Sequence, residues 1–256
     1  MEMRTQAGVM SRGALVVAVL VAVLVLVLSL LVLVGVPRWV PGSADCAATV
    51  GARTVEVSAE DAEAAASVAA RAVRVRQPEA GAAAAIASRL GLEARDAMVL
   101  ASALTGRAPH ALSCVHGGSD KQERDRLDSV GLTARAARVR SVLDSAFGAQ
   151  RTGGFAPGGV TTGHMPGSAH YEGRAVDVFF RPIAKRNKVR GWAVAQYAVA
   201  HAGRLAIETV IFDGRIWTAR RAFQGWRSYE PDTTGRSPRV AAVLEHRDHV
   251  HVDVAD

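Results

Sequence analysis

The chain has 256 residues, enough for one ordinary domain with additions or for two small ones, and a formal net charge of +7. Lysine occurs only at Lys121, Lys185 and Lys188, so nearly all of the positive charge is arginine, and aromatic residues make up 5% of the chain. The balance favours anionic surroundings, but no nucleic-acid-binding motif accompanies it, and a nucleic-acid partner is set aside.

Residues 1–12 read as a short cytoplasmic N-terminus. Residues 13–36, GALVVAVLVAVLVLVLSLLVLVGV, contain no charge, and an apolar run beyond ~18 residues reads as a transmembrane helix. Arg4 and Arg12 precede it, which by the positive-inside bias keeps the N-terminus cytoplasmic. A cleaved secretory signal is the rival reading, but its apolar region spans only ~7–15 residues before a small-residue cleavage site, and VPGSADC is a poor version of that site. The expectation is a single-pass cell-membrane protein whose C-terminal part is extracytoplasmic. Disulfides persist in that compartment. Cys46 and Cys114 lack CxxC spacing and a third partner, so they pair most simply with each other.

Residues 37–114 are expected to form an extracytoplasmic helical region. From Thr54 to about Leu112 the chain is alanine-rich, and Ser58 with Asp61 three residues on has a capping-box pattern. No clustered polar chemistry lies there, which suggests spacing or docking. Residues 115–131 are charged and poor in apolar side chains, a linker pattern.

Helical periodicity returns at residue 132, with Leu132, Ala136, Val139, Val142, Leu143 and Phe147 on one side. A Gly-rich loop leads to the strand RAVDVFF, then a helix in GWAVAQYAVAHAGRLA, two strands around Asp213-Gly214, a long loop, and a closing strand DHVHVDV. The fold class is therefore α+β: a small antiparallel sheet with flanking helices over residues 132–256, preceded by the transmembrane helix and the alanine-rich helical region.

The last strand carries the chemistry. Alternation puts His249, His251 and Asp253 on one face and Val250, Val252 and Val254 on the other. In RAVDVFF, Asp177 shares a face with Ala175 and Phe179, and a buried carboxylate among apolar neighbours calls for a cation. His170, Asp177 and one histidine of the HVH pair would make a two-His, one-carboxylate set suited to zinc, with a fourth position open to water. Asp248 and Glu245 are the candidate carboxylates for proton transfer.

SAHYEGRAVD, residues 168–177, fits the SxHxxGxAxD pattern of zinc D-alanyl-D-alanine peptidases, and HVH fits the HxH signature of the wider superfamily, which includes lysostaphin-type endopeptidases and the hedgehog signalling domain. The chain from about Leu132 to Val254 resembles this superfamily, and in particular a membrane-anchored actinobacterial group. The resemblance implies that His170, Asp177 and His251 are zinc ligands and that His249 assists at the oxyanion. It implies Asp248, or Glu245 by the hedgehog spacing, as catalytic carboxylate. The substrates implied are peptidoglycan peptide stems or cross-links, cut beside D-amino acids. Such relatives often carry an arginine before the first ligand, where this chain has Ala156; Arg151 or Arg174, with Ser168, would then meet the substrate. The alternative is a catalytically inactive zinc module that binds the cell wall or a partner protein. His164 and His246 read as solvated loop histidines, RPIAKRNKVRG as a solvated basic loop or, alternatively, a contributor to binding an anionic wall polymer or phospholipid surface, and Trp226 as a residue that could border the cleft.

Overall fold

In the computed structural model, which describes residues 45–119, 121 and 126–256, the chain opens on a hairpin rather than a helix. Strands β1 (Cys46–Val50) and β2 (Arg53–Val57) pair from Cys46↔Val57 to Val50↔Arg53, with Gly51 at a left-handed φ of 59° in the turn. The helical reading from Thr54 is corrected here. Val55 and Val57 are buried while Thr54 and Glu56 are exposed, a period of two that only a strand produces. The helix starts where Ser58 accepts a hydrogen bond from the Asp61 N–H at 3.1 Å. On the other side of β1 lies β3 (Leu112–Cys114), which sets Cys46 directly opposite Cys114, and the two form a disulfide. The alanine-rich region is thus three helices over a three-stranded sheet.

Those helices are α1 (Ala59–Arg74), α2 (Glu79–Leu90) and α3 (Ala94–Leu104). Their buried faces are mostly methyl groups: Ala62, Ala65, Ala66, Ala69 and Ala70 in α1, and Ala97, Ala101 and Ala103 in α3. The expected single-pass membrane placement is also corrected. Among the described residues no helix is long and apolar enough to cross a membrane. The longest, at 16 residues, span about 24 Å against ~30 Å of bilayer hydrocarbon, and α1 carries Glu60, Asp61, Arg71 and Arg74. Residues 1–12 and the apolar run 13–36 lie outside the described residues.

The described residues from 45 to 256 form one compact unit. After α4 (Ala134–Phe147) come β4 (Thr152–Gly153), β5 (Ala175–Phe179), α5 (Lys185–Ala200), α6 (Ala202–Leu205), β6 (Ile207–Phe212), β7 (Arg215–Thr218), β8 (Arg227–Ser228), α7 (Pro238–Leu244) and β9 (His249–Val254). The strands make a six-stranded antiparallel sheet in the order β4-β5-β9-β6-β7-β8. The last strand is therefore central, hydrogen-bonded to β5 and β6.

Helix α5 joins the two layers, and its residues Gly191–Ala200 are all buried. A Cβ at Gly191 would sit 2.2 Å from the Phe212 ring, so the missing side chain lets the helix lie against β6. The buried Gln196 side chain accepts from the Leu112 N–H at 2.8 Å and donates to the Ala103 and Ala108 carbonyls at 2.6 and 3.1 Å. A buried amide satisfied on both ends fixes α5 against β3 and α3. Residues between the layers are strapped down as well: the Val115 N–H donates to the Asp45 carbonyl and the Gly118 N–H to the Ile207 carbonyl.

His201, buried at the α5–α6 junction and stacked on Tyr197, gives the fold an acid limit. Burial pushes its imidazole down from 6.5 to about 4, against the opposing pull of the Tyr197 carbonyl and Glu63. A histidine whose folded pKa is depressed binds its proton more readily when unfolded. Its contribution is therefore complete above pH 6.5 and is lost as pH falls toward 4. The shift corresponds to roughly 3 kcal/mol. Urea unfolding at pH 7 and pH 4.5 should show this loss, and His201→Gln should flatten it; an equal slope in both proteins would remove His201 from the account.

Candidate metal centre

Three local structures bring the site together. Ser168 caps a 3-10 turn (Ala169–Glu172), and Gly173 ends it at a left-handed φ of 68°. A Cβ at Gly173 would lie 2.7 Å from the Gly131 carbonyl oxygen, and the Gly173 carbonyl accepts the Thr133 N–H at 3.0 Å. The glycine of the motif is thus fixed by both conformation and packing. The turn lays the His170 ring on the sheet. Asp177 of β5 stands in register with His251 of β9, and Phe179 with His249. The valines of β9 are buried on the opposite face, and a slip of one residue would exchange the faces.

His170 Nε2, Asp177 Oδ1 and His251 Nδ1 form a nearly equilateral triangle with edges of 3.1, 3.2 and 3.2 Å. Tetrahedral ligands about 2.0–2.1 Å from zinc stand about 3.3 Å apart, so the donors already sit at coordination spacing. All three side chains are buried. The outer contacts orient them: His170 Nδ1–H donates to the Gly154 carbonyl at 2.7 Å, leaving the Nε2 lone pair facing inward. Asp253 Oδ2 lies 3.5 Å from His251 Nε2, which selects Nδ1 as the donor. Gly154 has a φ of 81°, and a Cβ there would lie 2.2 Å from His170 Cε1.

The electrostatics are those of a site built for a cation. Burial raises the Asp177 carboxyl, but hydrogen bonds from His170 and His251 and the charges of His251 and His249 outweigh it and hold the acid well below the usual range. Burial disfavours charge on His251, yet Asp177 and Asp253 lift its imidazole to about 9. Without a metal, a proton holds the negative charge together. A divalent cation held by the same donors would take that proton's place. The residues fit zinc: two neutral imidazole nitrogens and one carboxylate on one face of a tetrahedron.

The donors lie in a cleft of about 630 Å³. His249 Nε2 faces into it, 3.8 Å from Asp177 Oδ1, while His249 Nδ1–H donates to Asp248 Oδ1 at 2.7 Å. Asp248 Oδ2 accepts from Arg181 Nε at 2.6 Å. Burial raises the Asp248 carboxyl, but the bonds from His249 and Arg181 hold it below its ordinary value. Asp248 therefore reaches the centre through His249. Glu245 binds Arg247 at 2.8 Å and does not line this cleft. Ser168 lines it through the turn it caps. Arg174 is committed to Glu172, Asp256 and the Val254 carbonyl, and exposed Arg151 lies outside the cleft lining.

Four lining residues escape a reading of the sequence. His164 stacks on His170 with ring centroids 4.0 Å apart, and His246 tilts against His249 at 4.5 Å. Burial first, then the charges of His249 and His251, press the His246 imidazole down to about 3, so it is a neutral wall rather than a solvated loop residue. Tyr229 lies edge-on to His246, while Trp226 turns away and donates to the Leu112 carbonyl. Arg181, in the basic run, lines the cleft over the Phe179 ring. Position in the long loops gives no signal for these contacts.

A second group, Cys46, Cys114 and His116, has its sulfurs joined in the disulfide.

Residues 128–239 match the family model described as VldE, C-terminal domain. The match covers less than half of the chain. It takes in His170, Asp177 and Arg181 and stops before β9, which supplies His249 and His251. No curated protein and no solved structure matches the chain. What the comparisons establish is a similarity to the VldE C-terminal domain.

Proposed function

We propose that the cleft is a zinc-dependent peptidase centre acting on peptide bonds beside D-amino acids in peptidoglycan stems or cross-links. The observation that carries this reading is the triangle of His170 Nε2, Asp177 Oδ1 and His251 Nδ1, with His249 Nε2 beside it. Zinc held by His170, Asp177 and His251 would supply Lewis-acid chemistry in the cleft. The rest belongs to the chain. With Nδ1–H committed to Asp248, His249 presents a lone pair at Nε2, where it can take a proton from the nucleophile and return one to the leaving amine. The charged Asp248 stabilises the imidazolium that forms in between. Once protonated, the same Nε2–H donates toward a developing oxyanion.

Arg181 takes the place left open at Ala156. Its Nε is pinned by Asp248, and its terminal nitrogens have no hydrogen-bond partner among the described residues. A guanidinium so fixed suits the free C-terminal carboxylate of a peptide. Arg181→Ala is expected to raise KM about tenfold for a peptide ending in a free carboxylate, roughly 1.4 kcal/mol, and to leave an amide-capped peptide unaffected. Equal losses on both would remove this role. The reading itself is tested by incubating the full chain, loaded with zinc, with muropeptides: released D-alanine or new amines support it. Stable binding with no release would instead make the protein a zinc-containing binding module.

A further inference from the structure

A second cleft of about 790 Å³ lies away from the histidines, between the end of α1 and the first turns of α5. Its rim is cationic, with Arg74 at the end of α1 and Arg76 just after it, Arg107 beyond α3, and Lys185, Arg186 and Arg190 on α5; no acidic side chain lines it. Its floor is apolar, formed by Phe147, Phe180 and neighbouring valines. Two of the cations are engaged, Arg107 with Glu79 and Arg74 with the Ser145 carbonyl. Arg76, Lys185, Arg186 and Arg190 are exposed and have no ion-pair partner among the described residues.

This arrangement opposes local stability. Like charges crowd one concavity, and Lys185 and Arg186 sit in the first turn of α5, where the helix dipole disfavours cations. Elsewhere the fold neutralises its cations when acids are near, as Lys188 does with Asp213 at 2.6 Å one turn along the same helix. A cleft that keeps four charges uncompensated is complementary to a ligand carrying several negative charges. Arginine forks match phosphoryl oxygens in pairs. A lone phosphate carries too little charge for four cations, and the apolar floor gives the backbone of a longer ligand something to lie on.

We propose that this cleft binds an extended polyanion bearing repeated phosphoryl groups, independently of the metal centre. The full chain should bind end-labelled inorganic polyphosphate in a fluorescence anisotropy titration, with an affinity that falls as salt rises. The combined variant Arg76→Ala, Lys185→Ala, Arg186→Ala and Arg190→Ala should weaken binding by about tenfold or more and flatten the salt dependence. A control variant, Arg89→Ala, Arg138→Ala, Arg220→Ala and Arg239→Ala, removes the same charge from exposed positions outside this cleft and should change binding less than about twofold. Equal weakening in both variants would show attraction to net charge alone and overturn the proposal. So would a cleft that discriminates phosphatidylglycerol vesicles but not polyphosphate. Muropeptide turnover should stay unchanged in the cleft variant, which separates this proposal from the peptidase reading.

Discussion

His249→Ala is expected to lower kcat on muropeptides by about 10²–10⁴ while leaving metal content unchanged. The split follows from where its ring points. Nε2 faces the cleft at 3.8 Å from Asp177 Oδ1, and His170 Nε2, Asp177 Oδ1 and His251 Nδ1 form the donor triangle without it. Asp248→Asn should follow at smaller amplitude, because an amide can still bond His249 Nδ1 but cannot stabilise the charged ring. Rates and zinc content measured on the same preparations check both statements. If His249→Ala removed the metal, His249 would be a ligand and the assignment of roles on β9 would have to change.

Gly154→Ala should be nearly as damaging by a different route. The added methyl would meet His170 Cε1 at 2.2 Å and Nδ1 at 2.5 Å, on a backbone at a φ of 81° that side chains rarely adopt. Displacing the ring also breaks its bond to the Gly154 carbonyl, which sets the tautomer. Loss of such an outer contact costs about 10–100-fold in metal affinity, and the strained backbone adds about 1–3 kcal/mol of instability. Zinc titration against a competing chelator, together with urea unfolding of the metal-free protein, measures the two effects separately. Unchanged zinc affinity would mean that the loop yields and that Gly154 does not hold His170.

The parts of this site that were legible in the sequence are those governed by short-range rules. Strand alternation placed Val250, Val252 and Val254 in the core and His249 and His251 opposite them, as the structure has it. Cysteine count anticipated the Cys46–Cys114 bridge. The helical reading failed over Thr54–Val57, where alanine-rich surroundings masked a four-residue alternation that pairing with β1 stabilises. The membrane anchor rested on residues 13–36, outside the described residues, and none of the described helices takes that part. His164, His246, Tyr229 and Arg181 were illegible for a further reason. Each reaches the cleft because a loop of irregular backbone closes on the sheet, and no periodicity encodes that closure.

The central claim is that His170, Asp177 and His251 hold one zinc ion. Metal analysis of the purified full chain, set beside His170→Ala, His251→Ala and the wall variant His246→Ala, tests it most directly. About one zinc per chain is expected in the unaltered protein and in His246→Ala, and almost none in the two ligand variants. Zinc retained at full stoichiometry in both His170→Ala and His251→Ala would contradict the claim.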